Sequence, residues 1–504
     1  GIMSALQHIT TARPLMATPV SESIPQTKYE TVIGLEVHVQ LKTDSKLFDP
    51  SPNSIGDEPN LNLNTTSLGL PGALPVLNER AVEYAIRLGL ALNCKIAEVT
   101  KFDRKQYFYP DMPKNYQISQ YDFPICYDGF MELSNGRHVR ILRAHMEEDA
   151  GKLVHAGAAG LAGSEYSLVD LNRSGCPLLE VVSEPDMRSA EEAREYMQQI
   201  RNIVRYVDVS DANLEEGTLR CDANVSIRPV GSETLGTKTE IKNMNSFRAV
   251  QRAIESEVAR QTEVLESGGK IIQETRLWDD ATQSTRSMRS KEQAHDYRYF
   301  PDPDLRPLAI SREMVAQIRE TLPELPQQRT ERLVNAFGLS EQDAGVMVEF
   351  KEMGDFFLLA AEHTDNYKAL ANWIQGDITG YLNTNKLSIF ETRLKPEALA
   401  GLIHLVDQGT ISSAIAKKLL PELLEKGGSP DAIVKERGMA QVSDEGALRA
   451  AIQKVIDANP AEVAGFKAGK DKLMGFFVGQ VMKETKGSAN PQLVNELVRK
   501  MLAE

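Results

Sequence analysis

The stretch TVIGLEVHVQL (31–41) decides how the first half of this chain is read. Its period of two puts Leu35, Val37 and Val39 on one face and Glu36, His38 and Gln40 on the other, as in a strand buried on one side. TLRCDANVSIR (218–228) repeats the pattern, with Leu219, Cys221, Ala223, Val225 and Ile227 inside and Arg220, Asp222, Asn224, Ser226 and Arg228 outside. Lys238, Glu240 and Lys242 then line one face of the next strand. A solvated outer face of an antiparallel sheet reads this way. So does the wall of a wet catalytic cleft, where mixed Arg, Asp, Asn, Glu and His recur on successive strands.

Outward from these strands, short strand-like runs alternate with Gly/Pro/Asn turns and a few helices from Thr31 to about Leu308. Ser189 and Glu192 form a capping box for a helix to Val207, with Ala193, Tyr196, Met197, Ile200, Val204 and Val207 at helical spacing. A second helix is predicted over Ser246–Glu266, with Val250, Ile254 and Val258 on one face and Gly268-Gly269 past its end. From about Ser311 helix follows helix, punctuated at Pro323, Pro396, Pro421, Gly427-Gly428 and Pro491. Near the end, Leu473, Phe477 and Val481 share a stripe, Asn490 caps the next helix, and Val494, Leu497, Val498 and Met501 repeat as i, i+3, i+4, i+7. The fold class is α+β: a mixed body at 29–310, an all-helical domain at 311–405 and a helical tail at 406–504. Residues 1–28 are expected to be a disordered leader, with Gly1 and Ile2 before Met3 as an expression remnant; a transit peptide is the alternative, disfavoured by a single Arg.

The 504 residues suit about three domains. With 41% hydrophobic and 25% charged residues, disordered, collagen-like and disulfide-scaffold classes are excluded. No stretch approaches a membrane span, and Cys94, Cys126, Cys176 and Cys221 form no CxxC, which fits a reducing cytosol. The net charge of −14 argues against a uniformly basic nucleic-acid binder. Residues 401–504 nevertheless carry 14 Lys/Arg against 13 Asp/Glu, so a polyanion would meet the C-terminal end first. Walker, Rossmann, G-x-S-x-G and H-E-x-x-H patterns are absent, so any ATP is bound outside the P-loop pattern.

Two further segments could carry chemistry. Glu147, Glu148 and Asp149 follow His145, and Glu180 ends the run Pro177-Leu178-Leu179; with Glu36 and His38 they could form an oxygen-rich divalent metal site. Periodicity does not choose between Glu147 and Glu148. Between Phe102 and Tyr121, aromatics alternate with Arg104, Lys105 and Lys114, which suits either base stacking with phosphate contacts or a hairpin edge with snorkelling cations.

The runs FDRKQYFYPDMPKNYQISQYD (102–122), HMEEDAGK (145–152), YSLVDLNRSGCPLLEVVSEPDMRS (166–189), EEGTLRCDANVSIRP (215–229), KTEIKNMNSF (238–247) and DYRYFPDPDL (296–305) resemble the B subunits of the bacterial-type aspartyl/glutamyl-tRNA amidotransferases. GKDKLMGFFVGQVMK (469–483) and KGSANPQLVN (486–495) are similar to that family's tail. The resemblance implies a body like glutamine synthetase, a helical domain, and a tail that touches tRNA. It also implies ATP-dependent phosphorylation of Glu on tRNA(Gln) or Asp on tRNA(Asn), followed by amidation with ammonia. The ammonia would come from an amidase partner, the A subunit, with a small C subunit completing a heterotrimer. Metal ligation, by Mg²⁺ or Mn²⁺, carries over onto Glu36, His38, Glu148 and Glu180, favouring Glu148 over Glu147. Lys105, Tyr107, Asp222, Lys242, Asn243, Asn245 and Ser246 match motif positions and are read as nucleotide or acyl-end contacts; Lys467, Lys470, Lys472, Lys483 and Lys486 are candidates for tRNA phosphate. Many relatives carry a C-x-x-C pair before the LGLPG turn. Here Asn64-Thr65-Thr66-Ser67 stands there, so no structural zinc is expected. A tRNA-binding scaffold without chemistry, or a ligase for a free amino acid, are the competing readings.

Overall fold

The computed structural model describes residues 28–156, 166–288, 296–440 and 445–503; the expected leader lies outside them except for Lys28. Two units pack separately, one taking the chain to Val204 with Val209–Thr321, the other Arg205–Asp208 with Leu322–Glu504. The strands are β1 (Tyr29–Gln40), β2 (Lys95–Ile96), β3 (Val99–Thr100), β4 (Asp103–Gln106), β5 (Tyr116–Ser119), β6 (Cys126–Glu132), β7 (His138–Glu148), β8 (Lys152–Ala156), β9 (Tyr166–Asp170), β10 (Pro177–Ser183), β11 (Leu219–Pro229), β12 (Thr239–Lys242), β13 (Thr275–Asp279), β14 (Ser284–Ser287), β15 (Phe300–Pro301) and β16 (Leu308–Ala309). Nine form one sheet in the order β14-β13-β12-β11-β1-β10-β7-β6-β2, antiparallel except where β12 meets β13. β15, β4 and β5 form a separate three-stranded sheet.

The alternation read in the sequence is the sheet's two faces. Leu35, Val37, Val39, Leu179, Val181, Leu219, Ala223 and Val225 are fully buried, at about 1.5–3 kcal/mol for each large side chain. The Ala190–Tyr206 helix supplies Ala193, Tyr196, Met197, Ile200 and Val204 to the buried interior. Its capping box is displaced by one residue: Ser189 Oγ accepts from Glu192 N (3.2 Å), but the Glu192 carboxylate reaches back to Arg188 N (2.7 Å) and also holds Arg137. In the Phe247–Glu266 helix, Glu257 rather than Val258 takes the deeply buried position, because Arg260, Gln261 and Arg276 surround its carboxylate. The body also runs past the expected boundary at 310. The Arg312–Glu320 helix belongs to the first unit, with Arg312 donating to the carbonyls of Ile96 and Ala97.

The second unit is helical among its described residues, with two cores. Leu333, Phe356, Phe357, Leu399, Leu402, Leu419, Leu423 and Val434 belong to the first; Leu448, Ile452, Phe477, Val481, Val494, Val498 and Leu502 to the second. The expected boundary at 405/406 therefore falls inside one core. Pro421, expected as a break, lies within the Ser413–Lys426 helix, where Leu419, Leu420, Leu423 and Leu424 are all buried. The carbonyl it leaves without a helical donor belongs to Lys417, an exposed residue.

Candidate catalytic face

Register assembles the site. On β1, Glu36 stands opposite Asp222 of β11, while His38 stands opposite Glu180 of β10 and Arg220 of β11; Glu180 in turn faces His145 of β7. Directly opposed residues share a face, so this side of the sheet is as polar as the other is apolar.

Two trios result. The donor atoms of His38, Glu147 and Glu180 lie within 4.8 Å of one another, and so do those of Glu36, Asp222 and Glu240. In the first trio, Glu180 Oε2 lies 3.6 Å from His38 Nε2 and 3.3 Å from His145 Nε2, and Ser119 Oγ donates to Glu147 (3.1 Å). Burial opposes ionisation of Glu180, but His145, His38 and Lys105 outweigh it and hold the carboxyl well below the usual range. Arg143 Nε donates to His145 Nδ1 (3.2 Å). Burial opposes charge on that imidazole, but Glu180 and Glu147 outweigh it and push the ring up to about 8.

The second trio has fewer cations. Lys242 Nζ lies 3.4 Å from Asp222 and 3.6 Å from Glu240, while Asn224 donates to Glu36 (3.0 Å) and Thr275 to Glu240 (2.8 Å). Burial, then the charges of Glu180, Asp222 and Glu240, raise the Glu36 carboxyl above its ordinary value.

The structure divides the expected quartet of Glu36, His38, Glu148 and Glu180. His38 and Glu180 meet; Glu36 belongs to the neighbouring trio. Glu148 follows Glu147 along β7 and pairs with Lys114 while accepting from Ile118 N (2.9 Å). Strand alternation thus brings Glu147, not Glu148, to His38 and Glu180.

Lys105 carries its charge toward Glu147 and Glu180, which outweigh burial and raise it, and its Nζ lies 4.8 Å from the centre of the Tyr297 ring. Tyr297, Tyr299 and Tyr121 build the aromatic wall here, the last two stacked at 4.3 Å. Tyr107 packs on Tyr109 instead, with ring centres 6.1 Å apart. Asn243 adopts a left-handed φ of 71° and donates to Trp278 O (3.0 Å); Asn245 is exposed. Ser246 is spent on capping, accepting from Ala249 N (2.9 Å). Lys467, Lys470, Lys472, Lys483 and Lys486 are all exposed.

The loop before Leu68 is held by hydrogen bonds. Asn64 Oδ1 accepts from the amides of Thr66 and Ser67 (2.9 and 3.1 Å), and Ser67 Oγ donates to buried Asp49 (2.7 Å). Sequence reasoning did not name Arg143, and it put Arg220 on the polar strand face and Asp149 among the candidate carboxylates without joining the two. Their signal is cross-strand register, which no single stretch displays.

Residues 31–316 match the family described as the GatB/GatE catalytic domain, and residues 355–502 match the GatB domain. The B subunit of an aspartyl/glutamyl-tRNA(Asn/Gln) amidotransferase from Thermosynechococcus vestitus is 55% identical over 482 residues, covering 94% of this chain and 96% of its own length. Proteins of the same name from Trichodesmium erythraeum and Carboxydothermus hydrogenoformans are each 54% identical, over 95% of this chain and 98% and 99% of their own.

Proposed function

This chain belongs to the family of aspartyl/glutamyl-tRNA(Asn/Gln) amidotransferase B subunits, and on that premise we propose that its polar sheet face is where ATP activates the side-chain carboxylate of a tRNA-borne Glu or Asp. It is one component of a tRNA-dependent amidotransferase and works with the other subunits of that complex. The observation that carries the site assignment is the convergence of His38, Glu147 and Glu180 beside Glu36, Asp222 and Glu240.

A carboxylate is a poor electrophile, because its anion is resonance-stabilised and repels nucleophiles. In the first step its oxygen bonds to the γ-phosphorus of ATP, the bond from that phosphorus to the bridging oxygen breaks, and ADP leaves with the electron pair. In the second, ammonia nitrogen bonds to the acyl carbon, the carbon–oxygen bond to phosphate breaks, and the phosphate carries away one proton. We propose that the ammonia comes from an amidase partner, the A subunit, with a small C subunit completing the heterotrimer in the cytosol.

One imidazole nitrogen with carboxylate oxygens suits a hard divalent cation, Mg²⁺ or Mn²⁺, held by His38, Glu180 and Glu147, with Glu36 beside them. Such an ion neutralises phosphate charge when bound. Glu148, the ligand expected from the family, is held by Lys114 and the Ile118 amide, and Glu147 would take its place in the ligand set. We read Lys105, Tyr107, Asp222, Lys242, Asn243 and Asn245 as contacts for the nucleotide or acyl end. We propose that the polar bonds around Asn64, Ser67 and Asp49 hold this loop in place of a structural zinc. Exposed Lys467, Lys470, Lys472, Lys483 and Lys486 would meet tRNA phosphate, and removing them should flatten the salt dependence of binding.

The test is Glu180→Gln in the assembled complex. ATP-dependent phosphorylation of misacylated tRNA should vanish while tRNA affinity stays. Retained phosphorylation would return the chain to a scaffold role, and turnover of free glutamate would make it a free-standing ligase.

A further inference from the structure

We propose that Arg220 grips the transferred phosphoryl group and that Asp149 positions it; this rests on the ATP-dependent reading above. Arg220 stands on β11 directly opposite His38, on the polar face. Its Nη2 donates to Asp149 Oδ2, yet Asp149 directly follows β7, and β1 and β10 lie between β11 and β7. The side chain therefore reaches from β11 toward the Asp149 end of β7, on the face that carries His38 and Glu180. Asp149 is a fixed pivot: it is buried, its Oδ1 accepts from Ala150 N (2.9 Å), its amide donates to Cys176 O (2.8 Å), and Arg173 Nε lies 3.6 Å from Oδ2.

Beside Lys105, whose charge faces Glu147 and Glu180, three nearby cations are committed. Arg143 serves His145 and the carbonyls of Gln120 and Tyr121, Lys242 bridges Asp222 and Glu240, and Lys114 holds Glu148. Arg220 has one guanidinium nitrogen fixed by Asp149, a buried Nε without a hydrogen-bond partner, and a side chain still 32% exposed. A guanidinium pinned at one corner presents its remaining N–H groups as a preset fork for phosphoryl oxygens. Charge spreads over those oxygens as the phosphorus passes from ADP to the carboxylate, and the same group departs as phosphate when ammonia attacks. One fork thus serves both steps without moving.

The experiment uses the complete complex and misacylated tRNA. Arg220→Ala should slow ATP-dependent phosphorylation by about 10²–10³-fold, the scale for losing a donor aimed at developing charge, with tRNA affinity unchanged. Arg220→Lys, which keeps the charge without the fork, should lose at least about tenfold. Guanidinium ion added at millimolar concentration should restore much of the Ala variant's rate and none of the Lys variant's. Asp149→Asn should lower kcat about tenfold, and combining it with Arg220→Ala should cost nothing beyond Arg220→Ala alone, as for residues acting in series. A rate within threefold of wild type for either Arg220 variant overturns the proposal. So does a loss in the Ala variant that guanidinium leaves untouched; should that variant fail to assemble, the Lys variant decides. If Glu180→Gln kills phosphorylation while Arg220→Ala spares it, this inference alone falls; if Glu180→Gln spares it, the underlying reading falls.

Discussion

The two carboxylate trios on one sheet face are built from similar residues two positions apart on β1, yet they are opposite electrostatic objects. Around Glu180, His38, His145 and Lys105 supply enough positive charge to overcome burial and keep the carboxylate ionised. Around Glu36, the neighbours are Glu180, Asp222 and Glu240, and the nearby cation, Lys242, sits against Asp222 and Glu240. The first trio is a charge-balanced fixture. The second carries surplus negative charge, and Glu36 brings part of it beside the cation that His38, Glu147 and Glu180 would hold.

Glu180→Gln tests that contrast hardest. It removes phosphorylation by at least about 10³-fold on our reading and should also destabilise the protein by about 3 kcal/mol, since it strands buried cationic partners. Glu36→Gln should do the reverse for stability, raising Tm at neutral pH by removing one like charge. Equal signs from the two substitutions in a thermal melt would end the comparison.

The pH dependence follows next in size. Glu36 has a folded pKa raised above its ordinary value of 4.5, so the native state holds its proton longer and stability contributed there falls as pH rises through that window. Glu180 has a depressed folded value, so its contribution is present above 4.5 and lost as pH falls toward the folded value. In melts without divalent ions, Glu36→Gln should flatten the decline on the alkaline side of 4.5, and Mg²⁺ should raise Tm more for wild type than for Glu36→Gln.

The smallest test uses matched hydroxyls. Ser119→Ala removes the donor to Glu147 and Thr275→Val the donor to Glu240, each about 1 kcal/mol. Activity should fall severalfold for Ser119→Ala and little for Thr275→Val; parity in kcat would erase the functional ranking of the trios.

The strands were legible because one buried face imposes a period of two, and Leu35 through Val39 and Leu219 through Ile227 obey it. The helix ends were legible where a side chain caps, as at Ser246 and Asn490. Pro421 misled because the burial of the flanking leucines outweighs the loss of one helical N–H at an exposed turn. The boundary at 405/406 misled because apolar stripes mark burial without saying which helices share a core. Within the site, Glu36, His38 and Glu180 stood out as polar residues in otherwise apolar runs, whereas Glu147 and Glu148 were indistinguishable neighbours.

By itself, the sequence determined that an α+β body with one polar strand face precedes a helical half, and its long motifs determined the family. Tertiary structure alone decided which charges meet. Register across β11, β1, β10 and β7 joins residues nearly two hundred positions apart, and the fall of Coulomb energy with distance makes partnership, rather than residue type, the quantity that sets ionisation.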